Sequence, residues 1–256
     1  VTATAANVTT TPYLSGNADA TIKGDLKKLT VDTVNSVNAR TATIDTLASA
    51  AITVATGSAG NLSELASLKL TGNGTVTVDN GNGGVGPTKL ATIDASALGG
   101  TLTVGTNKGA ITGGLTFTGN AGVAEDIRLG SGHDVLTVRS TYAAMDTLSG
   151  FDILKESATT TSTTDVMHFA GLTIDGAIAS GGIVKFAVKP ADTSLALAFV
   201  RAATVAEPGK VLQFVYGGNT YLFADGGATP GQLDADDAGV KVVGTVRLTT
   251  AFGVHL

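Results

Sequence analysis

Residues 67–80 read SLKLTGNGTVTVDN: Leu68, Leu70, Val76 and Val78 alternate with lysine or threonine on either side of a Gly-Asn-Gly break. A period of two with apolar residues on one side describes a half-buried strand, and glycine and asparagine supply the turn. The same texture recurs in KKLTVDTV, TATIDTL, AAITVAT, LATIDAS and GTLTVGT, most of them runs of four to seven residues. Units of this kind, returning every 10 to 20 residues, have the spacing of stacked rungs. A sandwich of short strands is the alternative, because the period is irregular.

Composition agrees. The 256 residues include 34 glycines, and threonine is abundant, whereas only 14% are charged. Threonine and valine are stiff at χ1 and suit a pleated surface, and periodic Leu/Glu/Lys/Arg helices are nearly absent. The expected class is all-β: a β-solenoid or β-roll-like stack of short strands with Gly/Asn turns, followed by a small C-terminal β-rich subdomain. The Thr/Ser run ATTTSTTD, Ala158 to Asp165, is the most linker-like stretch. It divides an expected repeat region, 1–157, from an expected C-terminal region, 158–256. NLSELASL, Asn61 to Leu68, is the best short helical turn of the first part. SLALAFVRAATV, Ser194 to Val205, reads as a helix closed by EPGK. VLQFVYGGNTYLFADG then reads as a hairpin around Gly217-Gly218-Asn219, and a last strand follows in VKVVGTVRLT.

Charge and motifs exclude several functions. Acids and bases balance over residues 1–120, so the whole net charge of −5 belongs to the second half. No basic stripe marks a nucleic-acid partner, and no run reaches the roughly 18 apolar residues of a membrane span. With no cysteine there is neither a disulfide framework nor thiol chemistry. Gly81, Gly83 and Gly86 match a dinucleotide glycine pattern, but an apparent strand opening with Pro87 follows where a helix is required. The three histidines are far apart, and neither HExxH nor GxSxG occurs. The expectation is a protein that is not an enzyme. The opening VTATAANVTT lacks the charged and apolar regions of a signal peptide, and a start at Val1 suggests a piece of a longer protein.

Two acidic stretches stand out. In LGSGHDVLT, residues 129–137, Gly130, Gly132, Asp134 and Leu136 occupy four defining positions of the calcium-binding nonapeptide GGxGxDxUx. The glycines permit a tight turn with inward carbonyls, and the aspartate adds a charged oxygen. One such turn supplies about half of the six to eight oxygens that calcium takes. Glu125, one nine-residue period upstream, and Asp126 are the expected complement. The second stretch carries Asp225, Asp234, Asp236 and Asp237 with no base among them. Carboxylates so crowded repel unless a cation or water screens them. A solvated turn is the alternative in both places.

Together with LATIDASALGGTLTV, AITGGLTFTGNAG, DTLSGFDIL and the ending FVYGGNTYLFADGG…LDADDAGVKVVGTVRLT, the nonapeptide gives the chain a family likeness. It resembles the C-terminal region of RTX-type, type I-secreted bacterial surface-layer proteins, such as that of Caulobacter. The likeness covers most of residues 90–256 and is patchier over 1–89, and the single nonapeptide departs from the tandem copies usual in RTX proteins. The resemblance implies a secreted, calcium-dependent structural protein of the cell surface that assembles with itself into a lattice or oligomer. It also implies passage through a type I secretion machinery on an uncleaved C-terminal signal, and anchoring to surface polysaccharide by a region outside this sequence. Ca²⁺ would be held by Gly130, Gly132 and Asp134, and less firmly by the acidic turn of Asp225, Asp234, Asp236 and Asp237. A chain without cysteines passes a narrow channel unfolded, and carboxylates that repel without metal would fold it only where calcium is plentiful. A calcium-dependent adhesin or glycan-binding module, and the non-catalytic C-terminal domain of an RTX hydrolase, are the competing expectations.

Overall fold

A computed structural model describes residues 2–4, 20–24, 41–46, 51–55, 67–79, 90–105, 114–130, 132–151, 165–169, 183–207, 210–226, 229–245 and 254–255. The chain is largely β. Its strands are β1 (Thr2–Thr4), β2 (Ala20–Gly24), β3 (Thr41–Thr46), β4 (Ala51–Ala55), β5 (Ser67–Gly72), β6 (Thr75–Asp79), β7 (Thr92–Leu98), β8 (Leu102–Val104) and β9 (Thr116–Thr118). They continue as β10 (Asp126–Arg128), β11 (Val135–Val138), β12 (Asp146–Ser149), β13 (Val166–Phe169) and β14 (Ile183–Lys185). After one short helix, α1 (Leu195–Ala203), come β15 (Val211–Tyr216), β16 (Asn219–Ala224), β17 (Ala238–Val242) and β18 (Val254–His255).

From β3 to β13 successive strands fall alternately into two nine-stranded sheets. The first sheet runs β1-β2-β3-β5-β7-β9-β11-β13-β18, and every pairing in it is parallel. The second runs β4-β6-β8-β10-β12-β17-β16-β15-β14. It is parallel from β4 to β17, antiparallel across the β17-β16 and β16-β15 pairs, and parallel again at β15-β14. The Gly-Asn-Gly break is therefore no hairpin: Asn73 and Gly74 carry the chain from one sheet to the other. The next coil repeats that corner on top of it, with Gly99 N–H donating to the Gly72 carbonyl at 2.6 Å. A Cβ on Gly100 would collide with the Gly74 backbone, so glycine is what lets these corners touch.

The inward residues of the two sheets form one core. Leu68 and Leu70, Val76 and Val78, Ile93 and Ala95, Val104, Phe117, Ile127, Leu136 and Leu148 are completely buried in it. Their threonine, lysine and serine neighbours take the other face, which is the alternation visible in the sequence. Ser67 and Leu68 begin β5 and do not close a helical turn, because pairing with β3 and β7 outweighs local preference there. Residues 61–66 lie outside the described set.

The helix expected at 194–205 forms as α1. Ser194 caps it, its Oγ accepting the Leu197 N–H at 3.2 Å. Ala198, Phe199, Ala202 and Ala203 pack on β15 and β16 in a second core with Leu212, Phe214, Tyr221 and Phe223. Strand β16 is buried on both faces: Leu222 and Ala224 join the main core, Tyr221 and Phe223 lie in the second. That explains why its sequence is a continuous apolar run. The expected β15–β16 hairpin forms, with Gly217 and Gly218 at φ of 56° and 79°. Two consecutive positive φ values are the mark of a type I′ turn.

Strands from both sides of the expected boundary join the same sheets, β13 beside β11 and β17 beside β12. Most of the Thr/Ser run, the glycines Gly81, Gly83 and Gly86, and residues 246–253 of the expected secretion-signal ending lie outside the described residues. No helix among the described residues is long and apolar enough to cross a membrane.

Candidate functional site: buried carboxyls at the coil edges

Each strand of a parallel stack needs a partner for the N–H that precedes its first ladder bond. In this chain acidic side chains supply several of those partners. In the first sheet Asp134 Oδ1 accepts the Leu115 N–H at 2.7 Å, and Asp165 Oδ1 accepts the Asp134 N–H at 3.0 Å. Leu115, Asp134 and Asp165 are the residues just before β9, β11 and β13, so each aspartate reaches back one coil. The second sheet repeats the device: Asp146 Oδ1 accepts the Glu125 N–H at 2.9 Å. All four acids occupy an inward position, two residues before an inward Ile127, Leu136, Leu148 or Met167. Glu125 is 2% exposed and Asp134, Asp146 and Asp165 are 0% exposed.

This placement corrects two expectations. Asp134 is not a solvated turn residue: it lies inside, against the previous coil. Glu125 and Asp134 are not neighbours on one edge, because a nine-residue step crosses from the second sheet to the first. The partner of Glu125 is Asp146, and that of Asp134 is Asp165. Of the other nonapeptide positions, Gly132 has φ 131°, open to glycine alone, Gly130 is half-buried, and Ser131 lies outside the described residues. Asp126 faces outward and is exposed.

Three of these carboxyls use one oxygen and strand the other. Glu125 Oε2, Asp134 Oδ2 and Asp146 Oδ2 are buried without a hydrogen-bond partner. Glu125 Oε1 accepts the Asn120 N–H at 3.2 Å. Oε2 occupies the space beside Gly119 that any Cβ there would invade. Burial first, and the charge of Asp146 second, push the Glu125 carboxyl up to about 8. Burial pushes Asp146 up to about 7, against the Glu125 N–H and the Ser140 hydroxyl. Burial also raises Asp134, against the Leu115 N–H, the Asp165 side chain and the His133 charge.

The C-terminal acidic turn is built differently. Asp237 is fully buried and both its oxygens are taken, Oδ1 by the Gly226 N–H at 3.0 Å and Oδ2 by the Asp234 N–H at 2.9 Å. Burial raises its carboxyl, with the charges of Asp225 and Asp236 adding to the effect. Asp225 is largely buried and accepts the Gly231 N–H at 3.4 Å; Asp236 is exposed. A side-chain hydrogen bond with Asp236, burial and the Asp237 charge raise Asp234, whose Oδ1 is buried without a partner. Asp237 is thus the brace of the loop and not an open ligand.

Among the described residues no three His, Asp or Glu side chains are gathered in a way that could hold a metal ion. The nonapeptide turn offers one stranded carboxyl oxygen, Asp134 Oδ2, and the acidic turn offers Asp234 Oδ1. Glu125 and Asp146 are neighbours in register, the charge of Asp146 acts on Glu125, and each strands one oxygen, so the chemistry of a hard cation, which takes oxygen ligands, fits best there. A scan against protein-family models matches none, and a search of the curated proteins returns no match. The functional reading therefore rests on residues and geometry.

Asp146 and Asp165 escaped the sequence reading. Their signal was an acid two residues before an inward apolar position, as in DTL and DVM, the same pattern as EDI and HDVL.

Proposed function

We propose that this chain is a calcium-dependent, self-assembling structural protein of a bacterial cell-surface layer, with a β-roll-like solenoid as its repeat region and no catalytic role. The observation that carries the reading is a set of three buried edge carboxyls, Glu125, Asp134 and Asp146, each satisfied on one oxygen and stranded on the other. Such groups are costly as bare anions and comfortable once a cation or proton neutralises them. Metal binding free energy then becomes folding free energy. A chain secreted unfolded through a type I machinery would close its coils on meeting extracellular calcium.

Glu125 with Asp146, and separately Asp134, are the residues that would hold calcium, which would supply the positive charge and oxygen affinity that the stranded oxygens lack. The residues' own contribution is to tie each coil to its predecessor through a backbone N–H. The stacked parallel sheets suit a structural role, since growth along the stack leaves the threonine-rich outer faces available for contact between copies. Electron microscopy of the purified chain with and without millimolar calcium tests the reading. Ordered sheets or regular oligomers only with calcium support it, and monodisperse monomers under both conditions count against it.

A further inference from the structure

We propose that Glu125 and Asp146 form a binding site for one divalent cation at the edge of the second sheet, with Glu125 Oε2 and Asp146 Oδ2 as its two anionic ligands. This rests on the calcium-dependent reading above and places its metal away from the glycine turn that the sequence motif singles out.

Register brings the two acids together. Strands β10 and β12 pair in parallel with Asp126 opposite Thr147, and the Thr147 N–H donates to the Glu125 carbonyl at 2.8 Å. Glu125 and Asp146, one position earlier on each strand, are therefore side by side. Both face inward: Ile127 and Leu148, two residues on, are buried on the same face. Adjacent parallel strands lie about 4.8 Å apart, a separation that one cation can bridge between two carboxylates. The alignment is fixed by the Glu125 N–H bond to Asp146 Oδ1, while Oδ2 is left without a partner.

Among the described residues no opposite charge acts on the pair, and the charge that acts on Glu125 is the like charge of Asp146. Two stranded oxygens from separate, almost completely buried acids constitute an electrostatic vacancy for a small cation, since either ion alone is expensive to bury. A neutral oxygen stands beside them. The Ser140 hydroxyl lies next to Asp146 and also reaches the Gly239 carbonyl at 2.7 Å. The missing Cβ of Gly119 is what lets Glu125 Oε2 lie against it. A hard divalent ion such as calcium, which accepts carboxylate, hydroxyl and water oxygens in flexible geometry, matches this set.

The test is calorimetric titration of calcium into the full chain at pH 8.5, with thermal midpoints in chelator and in millimolar calcium, for the wild type, Glu125→Gln, Asp146→Asn and Asp134→Asn. The amide variants keep the size of the side chain and its accepting oxygen. Glu125→Gln and Asp146→Asn are expected to weaken calcium binding about tenfold or more and to lose most of the calcium-induced rise in midpoint. In chelator their midpoints should equal or exceed that of the wild type, because a buried charge has been removed; a purely structural role would lower the midpoint in both conditions. Unchanged binding and midpoint shift in both variants overturns the site. If the calcium response disappears only in Asp134→Asn, the site is overturned while the calcium-dependent reading stands. A wild type that binds no calcium overturns both.

Discussion

The Glu125 N–H donates to Asp146 Oδ1 at 2.9 Å, so a side chain ties the leading ends of the adjacent strands β10 and β12 in the second sheet. Asp134 does the same for Leu115 in the first sheet at 2.7 Å. An inward acid at the start of a strand acts as an edge clamp.

The clamp at Asp134 is testable by substitution. Asp134→Ala strands the Leu115 N–H in the interior and should cost about 1–3 kcal/mol. Asp134→Asn retains an accepting oxygen and removes the buried charge, so it should lie within about 1 kcal/mol of the wild type. Chemical denaturation in chelator followed by circular dichroism separates the two. Equal losses in both variants would show that the acceptor is not what matters.

Stability without metal should fall as the pH rises. In the unfolded chain Asp146 and Glu125 titrate near 3.8 and 4.5; in the folded chain they are pushed up to about 7 and about 8. Below the lower values both states are protonated and the fold keeps its full stability. Between the two sets the unfolded chain has released protons that the folded chain retains, so each group lowers stability by about 1.4 kcal/mol per pH unit. The decline ends once pH passes about 8. Thermal midpoints in chelator from pH 5 to 9 should therefore drop, and Glu125→Gln should flatten the drop. A midpoint that rises over this range would contradict the burial of these groups.

Phe199 holds the second core together. Its ring lies 5.1 Å from Phe214 and 5.8 Å from both Tyr221 and Phe223, all edge-on, and 5.7 Å from Tyr142. Phe199→Ala should cost about 3–5 kcal/mol and release α1 from the hairpin. Loss of the near-ultraviolet tyrosine signal and faster amide exchange in residues 195–203 are the expected readouts, with coil residues such as Leu68 less affected.

The Gly217-Gly218 turn can be improved. Both residues have positive φ and open space where a Cβ would stand. Gly217→Asn keeps a residue that tolerates this conformation and reduces the freedom of the unfolded chain. It should stabilise by about 0.4–1 kcal/mol, whereas Gly217→Val should destabilise. Midpoints in the same buffer distinguish the two directions.

Where the chain is exposed on one face, its structure was legible. Leu68, Leu70, Val76 and Val78 announced their strands by alternation, Ser194 its helix, and Gly217-Gly218 its hairpin. What alternation does not encode is which sheet a strand enters. Without that, the nine-residue step from Glu125 to Asp134 reads as one rung upon another, when it crosses from the second sheet to the first. The same gap hid the partner of each acid: Asp146 and Asp165 are distant in sequence and are brought beside Glu125 and Asp134 only by parallel register. The expected turn at Asn61–Leu68 failed at Ser67 and Leu68 for a related reason, since pairing on both sides of β5 is a tertiary effect that local propensity does not contain.

The account depends on neutralisation of the edge carboxyls, and the most direct measurement is circular dichroism of the full chain at pH 8.5 as calcium is added back after chelation, with a thermal melt at each end point. It predicts a gain in β signal and a higher midpoint, both reversed by chelator. An identical spectrum and an unchanged midpoint with and without calcium would contradict it.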